Sequence, residues 1–320
     1  MCGICGIFNF GKTNPVEENQ IRKMCNVMIH RGPDDEGIFV EKKIGLGMRR
    51  LAIIDLETGH QPIFNEDKSI CIVLNGEIYN FQELRIGLEK MGHKFYTKTD
   101  VETVIHLYEE YKEKCVEHLR GMFAFALWDI KNQKLFLARD RLGKKPLFYT
   151  IQNGSLIFAS EMKSILEVIG RTPEIDFESI DFYLTYQYIS SPGTIFKTIK
   201  RLQPANILIC DKNGNIKIEK YWDLDFTKKT NLSFKEASQR IREILIESTK
   251  LRLISDVPLG AFLSGGHDST IIVGLMSQLQ SRPVKTFSIG FEDQDFSELK
   301  YAKIVAKKFN TEHNEFIVKP

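Results

Sequence analysis

Cys2 stands directly behind the initiator residue in Met1-Cys-Gly-Ile-Cys-Gly-Ile7. Removal of Met1 leaves a thiol and a free α-amine on one carbon. Such an amine titrates at about 7.7–8.0 and a thiol at about 8.5, so both exchange protons near neutrality. One residue then supplies a nucleophile and its own base, as an N-terminal threonine does. Taken alone, Cys2 is equally a small residue that follows Met. The pair Cys2-x-x-Cys5 suggests a redox site or half of a zinc site. No second pair supplies the remaining ligands and no helical pattern follows Cys5, which argues against both.

Further groups bear chemistry. Ser264-Gly-Gly-His-Asp-Ser269 lies between a strand pattern and a helix pattern. Its glycines let backbone amides approach an anion, and the following helix N-terminus favours negative charge there. It lacks the Gly-Lys-Ser/Thr ending of a Walker A loop. Asp268 is a candidate to hold Mg²⁺ against phosphates, or else a helix cap. Asn75-Gly76-Glu77 follows an apolar run, and an Asn amide beside a glycine N–H is a plausible pair of oxyanion donors, although Asn-Gly also marks turns. The planar fork of Arg50 suits a carboxylate; otherwise Arg50 is a surface charge. His30 reads as a catalytic or a turn histidine, and Arg139-Asp140-Arg141 as a salt-bridged turn.

The elements that must position these residues follow from periodicity. Residues 4–10 read as a buried strand, followed by a helix with Ile21, Met24, Cys25 and Met28 on one face. Runs at 46–55 and 69–74 suit strands. Leu84, Leu88 and Met91 mark a helix ended by Gly92, and Asp100 is placed to cap a helix carrying Val101, Val104, Ile105 and Tyr108. Residues 122–129 and 134–140 form a hairpin, 155–159 adds a strand, and 206–210 with 217–222 form another hairpin. These strands and few helices imply an α+β domain. Beyond a polar stretch at 225–233, helix 234–252, strand 259–263, helix 269–279, strand 285–289, helix 297–309 and the apolar run 315–318 alternate, which predicts a parallel, doubly wound sheet.

Composition narrows the setting. The 320 residues suggest two domains. The apolar share is 42%, the charged share 27% and the net charge +2. No electrostatic footprint for nucleic acid or an anionic membrane is present. No apolar run could span a bilayer, and no secretory signal is visible. Six scattered cysteines fit reduced thiols in the cytoplasm.

Together and in this order, Cys2-Gly-Ile, His30-Arg-Gly-Pro-Asp-Asp-Glu-Gly37, Arg50-Leu-Ala-Ile, Asn75-Gly-Glu-Ile-Tyr-Asn80, Thr99-Asp-Val-Glu102, Gly121-Met-Phe-Ala-Phe-Ala126, Arg139-Asp-Arg-Leu-Gly-Lys-Lys-Pro-Leu147 and Ser264-Gly-Gly-His-Asp-Ser269 closely resemble the glutamine-hydrolysing asparagine synthetases. The resemblance implies a class II glutamine amidotransferase domain over 2–224. Its fold would be that of an N-terminal-nucleophile hydrolase, an αββα sandwich. A linker at 225–233 and the start of an ATP-pyrophosphatase-type synthetase domain at 234–320 would follow. It also implies that Cys2 attacks the glutamine side-chain amide, with Asn75 and Gly76 as oxyanion donors. Glutamine would lie along Arg50, Leu51, Ala52, Ile53 and Ile54, its α-ammonium received by Glu77 and Asp100. Ammonia would pass through an internal channel to a site where ATP, with Mg²⁺ and no prosthetic group, adenylates aspartate. Leu263 and Ile289 would contact adenine or ribose. Ser264, Gly265, Gly266, Asp268 and Ser269 would hold pyrophosphate. A homodimer is implied by the same analogy.

Two departures stand out. His267 replaces a residue that is usually apolar, and the chain stops at Pro320. An open α/β site needs more sheet than this, so the synthetase half is expected to be incomplete. Two other functions fit the same residues: an amidotransferase for another carboxylate such as a sugar acid, and a shortened glutaminase or regulatory glutamine-binding protein. The loop at 264–269 argues against a phosphoribosyl-transferring enzyme.

Overall fold

The structure is a computed structural model and describes residues 2–11, 14–293 and 297–319. The chain divides into two compact units, Met1–Asp225 and Phe226–Pro320. No helix among the described residues is long and apolar enough to cross a membrane.

In chain order, the first unit contains β1 (Gly3–Phe8), α1 (Glu18–Asn26), β2 (Asp35–Glu41), β3 (Ile44–Arg50), β4 (Ile63–Phe64), β5 (Ile70–Ile78), α2 (Phe81–Met91) and α3 (Val101–Tyr111). There follow β6 (Gly121–Asp129), β7 (Lys134–Arg139), β8 (Phe148–Gln152), β9 (Ser155–Ala159), α4 (Met162–Leu166), α5 (Phe177–Tyr186), β10 (Lys200–Arg201), β11 (Asn206–Cys210) and β12 (Ile216–Lys220). The strands make two six-stranded sheets, ordered β10-β8-β9-β1-β3-β2 and β12-β11-β7-β6-β5-β4. Both sheets are antiparallel throughout.

Successive strand residues face opposite sides, and β1 uses both. Ile4 and Phe8 join Leu46, Met48, Val73, Ala126, Trp128 and Leu137 in a core shared by the two sheets. Cys5 and Ile7 face the other way, onto Ile21, Met24 and Cys25 of α1. On the far face of the second sheet, α3 buries Val104, Ile105 and Tyr108, and Tyr108 stacks on Phe136 with ring centroids 5.7 Å apart. Layers therefore run helix, sheet, sheet, helix, the sandwich that the motifs imply.

Local differences have local causes. The run expected as a strand over 46–55 leaves the sheet after Arg50, because the Arg50 guanidinium folds the chain back by donating to Ile54 O (3.0 Å) and Asp55 O (2.6 Å). Asp100 occupies the first position before α3 without capping it; its carboxylate turns to Ile78 N instead, at 2.7 Å. Strand β2 went unread because Asp35, Glu36 and Gly37 open it and leave only Ile38, Phe39 and Val40 as an apolar run. Helix α5 went unread because it leaves Phe177 and Leu184 about three-quarters exposed, which spoils any one-faced periodicity.

The second unit runs α6 (Phe234–Leu251), β13 (Gly260–Phe262), α7 (His267–Leu279), β14 (Lys285–Phe291), α8 (Leu299–Phe309) and β15 (Glu312–Val318). Its strands are parallel in the order β13-β14-β15, over a core of Leu263, Val273, Ala302, Val305 and Ala306. A capping box opens α6: Ser233 N donates to Glu236 Oε2 at 2.8 Å, and Glu236 N to Ser233 Oγ at 3.4 Å. Helix α7 starts at His267, two residues before the expected Ser269, and β15 starts at Glu312 rather than 315, where pairing with Lys285 begins.

Candidate functional site

A cavity of about 300 Å³ in the first unit is bordered by Cys2, Arg50, Leu51, Ile53, Ile54, Asn75, Gly76, Glu77 and Asp100. Residues far apart in the chain thus meet at one place. Ala52 is the exception in its run: it lies outside the lining and its N–H donates to Asp34 Oδ2 at 2.9 Å.

Cys2 sits immediately before β1. Its carbonyl accepts a 2.8 Å bond from Arg31 Nε, and Leu51 N donates to its Sγ at 3.4 Å. Burial pushes the thiol pKa up, opposed by the Leu51 N–H and by the charges of Lys145 and Arg50. The motif around His30 therefore acts through Arg31 and Gly32. A Cβ on Gly32 would lie 2.2 Å from the Arg49 carbonyl carbon. His30 itself is exposed, is held to Glu161 Oε1 at 2.9 Å, and borders no part of the cavity.

Asn75 lies on β5 opposite Ala124 of β6, fully buried, and neither its amide nitrogen nor its oxygen has a hydrogen-bond partner. Buried polar groups are almost always paired, so this amide is held for something else. Gly76 follows with φ +153°, and a Cβ there would stand 2.0 Å from Met122 O. No side chain fits. Asp100 is buried; desolvation foremost, and the nearby Glu77 charge, raise its pKa to about 6 against the hydrogen bonds from Ile78 N and Thr99.

Sequence reasoning missed Lys145, Thr99 and Gln61, which also line the cavity. The signal for Lys145 was within Arg139–Leu147, which the structure shows is not a salt-bridged turn. Arg139 donates to the carbonyls of Lys145 (2.7 Å), Leu202 (2.6 Å) and Gly143 (2.6 Å). The Asp140 carboxylate accepts the N–H groups of Phe123, Leu142, Lys144 and Lys145. This backbone cradle drives Lys145 inward, where burial lowers its pKa against the pull of Glu77 and Cys2.

In the second unit, the loop 264–269 leaves the carboxyl end of the parallel sheet, the edge at which such sheets bind ligands. Gly265 has φ +84°, and a Cβ there would meet the Tyr301 carbonyl carbon at 2.5 Å. Ser264 Oγ accepts Gly266 N at 3.2 Å and lies 3.1 Å from Ser269 Oγ. Asp268 is exposed in the first turn of α7. Leu263 is buried behind the loop, whereas Ile289 is exposed on β14.

Residues 1–222 match the family model for the glutamine amidotransferase domain, and residues 240–320 the one for asparagine synthase. The chain belongs to the glutamine amidotransferase family. Asparagine synthetase (glutamine-hydrolyzing) 1 of Bacillus subtilis is 39% identical over 323 residues, covering 100% of this chain and 50% of that protein. Asparagine synthetase (glutamine-hydrolyzing) 3 of the same organism is 39% identical over 302 residues, 92% of this chain and 49% of the relative. An amidase of Penicillium rubens is 36% identical over 299 residues, 89% of this chain and 44% of the relative. The amidotransferase thus spans about half the length of these relatives. The solved glutamine phosphoribosylpyrophosphate amidotransferase of B. subtilis shares the fold, with TM-score 0.52 at 17% identity, covering 98% of this chain and 65% of that one.

Proposed function

We propose that this amidotransferase releases ammonia from glutamine at the Cys2 cavity and serves glutamine-dependent asparagine synthesis. The domain limits proposed are 2–224 for the glutaminase, 225–233 for a linker and 234–320 for the nucleotide-binding part. The observation that carries the glutaminase reading is the unpartnered, fully buried Asn75 amide beside Cys2 in one cavity.

Once Met1 is removed, the α-amine of Cys2 takes the thiol proton and Sγ attacks the side-chain amide carbon of glutamine. The carbonyl electrons move onto oxygen, where Asn75 Nδ2 and the Gly76 N–H meet the developing charge. Collapse breaks the C–N bond, and the ammonium of Cys2 returns its proton to the departing ammonia. Water then cleaves the thioester to glutamate and restores the thiol. Arg50 binds the α-carboxylate; Glu77 and Asp100 receive the α-ammonium. Leu51, Ile53 and Ile54 wall the cavity, and Ala52 supports that wall from behind through Asp34.

In the second unit, the amides and hydroxyls of Ser264, Gly265, Gly266 and Ser269, gathered in one loop before α7, suit the phosphates of ATP. Leu263 and Ile289 border the base or ribose. Asp268 offers one carboxylate, enough for Mg²⁺ when phosphates supply most of the oxygen ligands. Aspartate is the proposed acceptor: its β-carboxylate would attack the α-phosphorus of ATP with release of pyrophosphate, and ammonia would then attack the acyl carbon with AMP as the leaving group. The amidase relative favours asking about other acceptors too, so acceptor carboxylates should be compared directly. A homodimer in the cytoplasm completes the proposal.

The deciding measurement is glutamate release from glutamine. Cys2→Ala should abolish it, and Asn75→Ala should lower kcat by about 10²–10³, the usual effect of losing one oxyanion donor. Turnover that survives Cys2→Ala would remove the nucleophile and with it this mechanism.

A further inference from the structure

Away from the Cys2 cavity, four potential ligands converge on the outer side of the first unit. Glu66 comes from the turn between β4 and β5, His93 from just beyond the end of α2, and His106 and Glu109 from α3. One ligand atom from each lies within 4.8 Å of all the others. Nδ1 of His106 is 2.7 Å from Glu109 Oε2 and 3.8 Å from Glu66 Oε2. Nδ1 of His93 is 3.5 Å from Glu109 Oε2 and 4.0 Å from Glu66 Oε1. Both imidazoles thus turn the same nitrogen toward the same two carboxylates. Tetrahedral zinc, with bonds of about 2.0–2.2 Å, sets its donors roughly 3.4 Å apart. The four separations, taken to the nearer oxygen of each carboxylate, bracket that value.

The surroundings point the same way. A metal-bound histidine usually gives its other ring nitrogen to a carboxylate. Here His93 Nε2 meets Glu110 Oε1 at 2.9 Å. His106 Nε2, fully buried and without a hydrogen-bond partner, faces Glu102 Oε1 at 3.7 Å. The carboxylates are also held by neighbours: Asn65 Nδ2 donates to Glu109 Oε1, the oxygen turned away from the histidines, at 2.8 Å, and Lys94 N donates to Glu66 Oε1 at 3.0 Å. A simple ion pair does not require carboxylates behind both rings as well as in front of them.

We propose that Glu66, His93, His106 and Glu109 form a closed, four-ligand site for a divalent transition ion of the zinc type. Two imidazoles make it unsuited to Mg²⁺ or Ca²⁺, which take oxygen ligands. With all positions filled by protein, the ion would be structural, tying the β4–β5 turn and the end of α2 to α3. Helix α3 begins beside Asp100 and Val101, which border the glutamine cavity, so the clamp would steady one wall of it. The site stands independently of the proposed reaction.

The test uses the full chain, stripped with chelator and titrated with Zn²⁺ by calorimetry and with Co²⁺ by visible absorption. Expected are one ion per chain, an intense tetrahedral Co²⁺ spectrum without a thiolate charge-transfer band, and a rise in Tm of about 5–10 °C at a hundredfold excess over Kd. His93→Gln and Glu66→Gln, at less buried positions than His106, should each weaken binding at least a hundredfold while circular dichroism stays unchanged. Glu110→Gln, which touches no metal, should weaken it about 10- to 100-fold. A thiolate band would place the ion on a cysteine and overturn the proposal. So would wild-type affinity in His93→Gln and Glu66→Gln, or no binding by the stripped chain.

Discussion

Asp100 shows what burying a carboxylate does to the fold that holds it. Folding takes it out of water and beside Glu77, which raises its pKa from 3.8 to about 6. The folded state therefore keeps a proton that the unfolded chain has already lost between those values. Stability linked to Asp100 is complete below about pH 4 and declines as pH rises to about 6, with the penalty, on the order of 3 kcal/mol, constant above that. Asp100→Asn should accordingly raise Tm at pH 7.5 but not at pH 4. If the carboxylate receives the glutamine ammonium, binding of glutamine to Cys2→Ala should tighten as pH rises through about 6, and Asp100→Asn should abolish that dependence. A flat binding profile for the Asp100-containing protein would deny it the role. This shift depends on burial and is invisible in the sequence. The sequence did expose the types: a thiol at position 2, an Asn-Gly pair and an arginine with a planar fork were legible. Lys145 was hidden because its reach into the cavity depends on Asp140 gathering four backbone N–H groups, a tertiary arrangement that two adjacent lysines do not announce.

At the scale of elements, strand β5 matters most, because Asn75 and Gly76 must leave it facing the cavity while still paired with β6. The register Asn75↔Ala124 and Gly76↔Phe123 fixes them, and it brings Met122 O to the point where a Cβ of residue 76 would lie. Gly76→Ala therefore has to push two strands apart or move the chain out of its φ of +153°. We expect a loss of about 1–3 kcal/mol, seen as a Tm lowered by roughly 5 °C, and a larger proportional loss of glutaminase activity than of stability. An alanine variant as stable and active as the parent would show that β5 and β6 do not constrain the site. Strands that are continuous buried apolar runs, such as β6, β7 and β9, were readable within a residue or two. The end of β3 was not, since only the return of Arg50 onto Ile54 and Asp55 stops it.

At the scale of the whole molecule, each unit closes its own core. The clusters on the two faces of β1 draw only on residues before Asp225, and the cluster described for the second unit only on residues from Ala261 onward. Alternating strand and helix patterns revealed the second unit's parallel sheet, while the pairing of the first unit's strands into two sheets was carried by the motifs rather than by periodicity. A unit with its own core is expected to fold by itself, and every residue bordering the Cys2 cavity lies between Cys2 and Lys145. Expressing residues 1–225 alone should thus give a folded, monodisperse protein that releases glutamate from glutamine at a rate close to that of the full chain. Its melting should remain a single cooperative transition. A fragment that folds yet turns glutamine over at least a hundredfold more slowly would mean that the second unit helps to build the glutaminase site, and the two activities would have to be treated as one device.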